Sequence, residues 1–163
     1  MSFETSSMDK NTVLISGAIV FREQHGKTRW FVVKQGNGEE IWEIPKIMVR
    51  KGESSVRAAL RMMGEKGGMT TRVLEEAGRA GGVVTLNNKI LPQRHLYYLM
   101  LLKSGTKEAF GFGNYLWLEY ANAVHKLSSK RERAMLKAAR GVMETWKKER
   151  RNRRAKKESM LMP

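Results

Sequence analysis

Between Trp42 and Met69 the chain reads WEIPK, a short connection, and then GESSVRAALRMMGEKGGM. Few folds accommodate that order. A β-rich run stops at Pro45, and Ser54 or Ser55 is placed to cap a helix. Val56, Ala59, Leu60 and Met63 recur at helical spacing, which predicts one buried stripe. Gly67 and Gly68 supply a flexible stop. The segment is therefore a strand end, a loop and an amphipathic helix.

Strand signals flank it. Val13–Arg22 and Thr28–Gln35 are β-branched and aromatic runs around His25-Gly26-Lys27, which predicts a hairpin. Gly36-Asn37-Gly38 reads as a turn and Ile41–Ile44 as a short strand ended by Pro45. After the helix, Arg72–Glu76 and Gly82–Leu86 read as two short strands with a Gly-rich bend between them. Asn87-Asn88 makes a turn, and Arg94–Lys103 is the clearest late strand. TKEAFGFGN reads as a loop, followed by YLWLEY and a short helix over Ala121–Lys126. Ser129 and Glu132 have capping-box spacing, with Ser129 accepting from the backbone and Glu132 reaching back. In the helix they open, Met135, Ala139, Val142, Met143 and Trp146 form a stripe expected to pack on the sheet. Beyond Trp146 the periodicity ends in KKERRNRRAKKE, which is expected to project or fray.

Length and charge bound the function. A chain of 163 residues, 41% of them hydrophobic, suits one domain with a sizeable core. Its longest apolar run, Leu96–Leu102, has seven residues and is too short to span a bilayer, so no membrane partner is expected. The opening MSFETSSMDK shows no export signal. No cysteine is present, so disulfides and thiolate chemistry are excluded and a cytoplasmic location is expected.

The formal charge is +15. Residues 130 to 158 hold thirteen basic and four acidic side chains, a net +9 and more than half of that total. Lys147, Lys148, Arg150, Arg151, Arg153, Arg154, Lys156 and Lys157 are the candidate contacts to RNA or another polyanion, because neutralising phosphates releases counterions. The competing reading is a solvated appendage.

The helix and its approach resemble the Nudix box: Gly, five residues, Glu, seven residues, Arg-Glu, an aliphatic residue, any residue, Glu-Glu, any residue, Gly, and an aliphatic residue. Glu53, Arg61, Met63, Glu65, Gly68 and Met69 match this pattern. Ile47 stands in place of its first glycine, and Met62 and Lys66 in place of two glutamates. The match in order extends from about Thr12 to Trp146.

The resemblance implies a single α/β domain, a Nudix-like α/β/α sandwich with a mixed sheet, followed here by a basic C-terminal helix. The expected divisions are a flexible N-terminus (1–11), the Nudix-like domain (12–146) and a basic tail (147–163). It implies pyrophosphate hydrolysis with magnesium or manganese held by carboxylates on one helical face. It also implies that Glu53 and Arg61 brace the box and that Glu65 is a remnant metal ligand.

At positions 62, 65 and 66 this chain carries Met, Glu and Lys, so the trio has no net charge where the family has three negative ones. Two unit charges 4 Å apart interact by about 4 kcal/mol at an effective dielectric of 20, and an ammonium in that place repels a divalent ion. A β-branched Ile47 resists a positive φ, so the loop is expected to differ in shape. The leading expectation is a protein that binds a nucleotide or other phosphate-rich ligand, with RNA as one candidate, and hydrolyses weakly or not at all. The alternatives are a metal-dependent hydrolase of nucleoside diphosphates linked to another moiety, and a structural ribonucleoprotein component.

Other residues read as structural. His25, His95 and His125 are too scattered for a metal site. Met62, Met63 and Met69 are core fillers. Trp30, Tyr97, Tyr98 and Phe112 are core aromatics with the chemistry to stack a base. Glu75 and Glu76 lie outside the box, with reach toward Glu65 left open.

Overall fold

The computed structural model describes residues 11–34, 40–105 and 109–161. Strands β1 (Val13–Gln24) and β2 (Lys27–Lys34) form the expected hairpin, with His25 and Gly26 both at positive φ in its two-residue turn. β3 (Trp42–Glu43) and β4 (Lys46–Met48) straddle Pro45, and helix α1 spans Ser55–Gly67. β5 (Met69–Leu86) and β6 (Lys89–Gly105) meet at Asn87-Asn88, again both at positive φ. A 3-10 turn at Phe110–Phe112 leads to β7 (Tyr115–Leu118), α2 (Tyr120–Lys126) and α3 (Lys130–Leu161).

These strands form one mixed sheet in the order β3-β2-β1-β6-β5, with β4 also pairing β1 and β7 also pairing β2. β1 and β6 run parallel, while the other pairs are antiparallel. Alternation along β1 divides the core, since successive side chains leave opposite faces of a strand. Ala18 and Val20 join Phe31, Met62, Met63 and Met100 under α1, whereas Ile19 and Phe21 join Trp30, Tyr97, Leu99 and the stripe of α3. The result is an α/β/α sandwich with a C-terminal helix.

Three expectations are corrected. The two short strands with a Gly-rich bend are one strand, β5, because β6 pairs with it along its whole length and three register shifts absorb the irregularity. Within it Gly78 leaves room for α3, since a Cβ there would sit 2.5 Å from the Met135 sulfur. In α1 the sheet-facing residues are Ala58, Ala59, Met62 and Met63, while Leu60 is 36% exposed. Of the two forms expected after Trp146, the segment takes the projecting one: α3 continues to Leu161, with the side chains from Lys148 onward in solvent.

The third correction concerns the capping box. Ser129 Oγ accepts from the Glu132 backbone N–H at 3.3 Å as expected. The Glu132 carboxylate, however, turns inward and accepts from Ile44 N at 2.8 Å, Lys46 Nζ at 2.6 Å and Tyr97 Oη at 2.9 Å. A 3% exposed carboxylate needs those donors more than the helix end needs its oxygen. Met135, Ala139, Val142, Met143 and Trp146 do pack on the sheet, joined by Leu136. Residues 1–10 of the expected N-terminal segment, the Gly36-Asn37-Gly38 turn, 106–108 of the loop and 162–163 lie outside the described residues.

Candidate functional site

The box is built around one ion pair. Ser54 caps α1 by accepting from Arg57 N at 3.1 Å, and Gly68 ends the helix at φ 60°. That fixes Arg61 two turns in, where Nε and Nη2 reach the two Glu53 oxygens at 2.8 and 3.0 Å. Glu53 also accepts from Arg50 N at 3.0 Å, and Arg61 Nη2 donates to Met48 O at 3.3 Å. Two charge-assisted bonds in a fork hold loop 49–54 against the helix. The Arg61 guanidinium first, and the Arg50 N–H next, pull the Glu53 carboxyl down to about 2.

The other box positions separate from each other. The Glu65 carboxylate is 62% exposed and lies 3.9 Å from Arg61 Nη1. Lys66 points into solvent beside it. Met62 is 0% exposed, inside the cluster with Ala18, Val20 and Phe31. Ile47 sits in β4 opposite Ser16, and the positive φ in the loop is at Gly52, at 79°.

The residues present do not fit a divalent cation. Glu53 spends its oxygens on Arg61 and Arg50, Met62 brings an apolar chain, and Lys66 brings an ammonium. Among the described residues no three of His, Asp and Glu converge. Glu76 is bound to Arg79 at 2.8 and 3.1 Å, and Glu75 is exposed on β5, so neither completes the trio. A groove of about 690 Å³ runs along the outer side of the box loop, lined by Thr12, Val13, Leu14, Met48, Arg50 and Lys51 among others. Its charged residues are Arg50, Lys51 and Glu53, the last paired with Arg61.

The aromatic and histidine readings find their places in the core or on its edge. Trp30, Tyr97 and Tyr98 are 1%, 1% and 6% exposed, and Phe112 packs on Phe31 with ring centres 5.3 Å apart. His95 is buried beside Tyr97, with Nε2 2.9 Å from Gln93 Oε1. Burial lowers its pKa, and the Arg131 and Lys46 charges add to that. His25 is in a turn and His125 is exposed.

The basic candidates share one helix. Lys147 turns back to the hairpin tip, where it pairs with Glu23 and donates to Thr28 Oγ1 at 3.0 Å. The remaining seven, from Lys148 to Lys157, are exposed on α3 beyond the sheet. Sequence reasoning missed this latch and the Glu132 network. The latch joins residues 119 positions apart, and the Glu132 network spans 35 to 88 positions; no local spacing encodes such contacts.

No family model matches the sequence, and no curated protein is similar to it. Solved structures are similar. An Ap4A hydrolase of C. elegans, determined as a binary complex, superposes with a TM-score of 0.66 at 20% identity, covering 82% of this chain and 98% of its own. A NUDIX hydrolase from Nitrosomonas europaea gives 0.61 at 14% identity, covering 80% and 89%. The NUDIX domain of Shewanella oneidensis NrtR, solved with ADP ribose, gives 0.61 at 15% identity, covering 81% and 88%. Together with the layer order and the loop-and-helix box, these likenesses establish that the chain has the Nudix fold.

Proposed function

We propose that this Nudix-fold chain binds a nucleotide or another phosphate-rich ligand and cleaves pyrophosphate weakly or not at all. The observation that carries the reading is Met62, which fills with apolar side chain a position where the box has a metal-holding glutamate. Lys66 adds a positive charge at a second such position. What survives of the box is its brace, Glu53 with Arg61, and that brace shapes a loop without supplying a metal. The formal charge of +15 and the cations Arg50 and Lys51 along the loop groove favour an anionic ligand. Nucleotides are the first class to test, since solved neighbours are a hydrolase of Ap4A and a domain holding ADP ribose. RNA is a second class, supported by the charge of α3. A cytoplasmic setting rests on the absence of cysteine.

The test is titration of the pure protein with magnesium and manganese against a panel of nucleoside diphosphate derivatives, reading both binding and phosphate release. Ligand binding that does not require metal, with negligible release, supports the proposal. Turnover in the ordinary range of about 1 to 1,000 per second, abolished by Glu65→Gln, would instead establish a metal-dependent hydrolase.

A further inference from the structure

α3 packs on the sheet only as far as Trp146 and Lys147, then runs on to Leu161. The free part spans about 1.5 Å per residue. Its underside continues the stripe that carries Leu136, Ala139 and Met143, because residues three, four and seven apart share a helical face. On that face the apolar residues give way to Lys147, Arg150, Arg151 and Arg154. Lys148, Arg153 and Lys156 leave the helix on other sides.

A notch of about 380 Å³ opens where the helix leaves the sheet. Leu101 and Trp146 form its floor, and Lys147, Arg150, Arg151 and Arg154 its wall; the one acid is Glu23, already paired with Lys147. Arg150 lies over the Trp146 ring, 5.4 Å from its centre, with Phe21 against the indole at 6.1 Å. The pocket on the other flank of the helix is less suited to an anion, since Arg140, Lys147 and Arg151 there face Glu119 and Glu144.

We infer that this notch binds single-stranded nucleic acid, with phosphates on Lys147, Arg150, Arg151 and Arg154 and a base against the Arg150–Trp146 pair. A cationic wall beside a stacking floor is the combination by which proteins hold single strands, whose bases are free to stack, whereas a duplex keeps its bases paired inside. The inference rests on the reading that the ligand is rich in phosphate. Of the eight basic tail residues it assigns Lys147, Arg150, Arg151 and Arg154 to binding and Lys148, Arg153 and Lys156 to solvation; Lys157 shares the inner face, three residues on from Arg154, but lies past the notch.

The experiment uses the full chain and a fluorescein-labelled single-stranded RNA of mixed sequence, followed by anisotropy across a salt series. Two variants lose the same charge: Arg150→Gln/Arg151→Gln/Arg154→Gln on the inner face, and Lys148→Gln/Arg153→Gln/Lys156→Gln on the outer. Glutamine keeps helix propensity nearly unchanged. The inner variant is expected to lose at least about tenfold in affinity and to flatten the salt slope by about 2, at roughly 0.7 per lost phosphate contact. The outer variant should keep both.

Equal losses in the two variants, or no RNA binding by the parent chain, overturn the notch. Equal binding of a duplex overturns single-strand preference, and equal competition by polyglutamate overturns nucleic acid as the ligand. Binding of nucleoside diphosphates is measured alongside. If the parent chain binds RNA but no nucleotide, the nucleotide reading fails and the notch stands; if the inner variant keeps nucleotide binding, the two sites are separate.

Discussion

Replacing Met62 by glutamate restores the family residue and tests whether burial at this position keeps a metal ion out. Met62 is 0% exposed, and its neighbours Ala18, Val20, Phe31 and Met100 offer no hydrogen bond from their side chains. A carboxyl group fully buried in such surroundings has its pKa raised by about 3 to 5 units from about 4.3. Each unit is about 1.36 kcal/mol, so the ionised side chain costs about 4 to 7 kcal/mol. That is most of the 5 to 15 kcal/mol that typically holds a domain together.

The sign follows from the direction of the shift. The folded state disfavours the carboxylate, so the penalty is absent below the unfolded pKa and grows as pH rises toward the raised folded value. Urea denaturation at pH 5 and pH 8, with and without magnesium, measures it. We expect Met62→Glu to be mildly destabilised at pH 5, severely at pH 8, and not rescued by magnesium. A deficit under about 1 kcal/mol at pH 8, or one that magnesium removes, would show that the position opens to solvent and that burial is not what excludes the ion.

Glu53→Gln removes the charged half of the brace. Because the Glu53 carboxyl is held at about 2, its stabilising contribution is present above the unfolded carboxyl pKa and is lost as pH falls through about 2. The stability gap between the parent chain and this variant should therefore shrink between pH 5 and pH 2 in urea titrations, and a constant gap would refute the pairing. Glu132→Ala leaves the Ile44 N–H and the Tyr97 hydroxyl without their acceptor, while Lys46 keeps Glu43 and the Ile44 carbonyl; at about 1 to 3 kcal/mol per orphaned donor it is expected to lower Tm clearly, with Tyr97→Phe restoring part of the loss. Burial, and then the Glu132 charge, hold the Tyr97 phenol well above its ordinary value, so its absorbance should not titrate before the protein unfolds in alkali.

Much of the architecture was legible because it is local. The β1–β2 hairpin shows in two alternating runs around a Gly-containing turn, α1 in a cap, a stripe and a glycine stop, and α3 in its stripe ending at Trp146. The Glu53–Arg61 spacing of eight residues, read through the family resemblance, named a contact that the fold makes. Tertiary structure decided which face of each element turned inward and which distant groups met. Leu60 and Met62 are both apolar and lie about 200° apart around α1, and only the side that the helix turns to the sheet buries Met62 and exposes Leu60. Glu132 has the spacing of a helix cap, yet Lys46, Tyr97 and the Ile44 N–H claim it because burial makes an unpaired carboxylate too costly. The +15 charge is a property of the chain alone, whereas its division on α3 into a cationic notch and a solvated outer face depends on where the sheet ends beneath the helix.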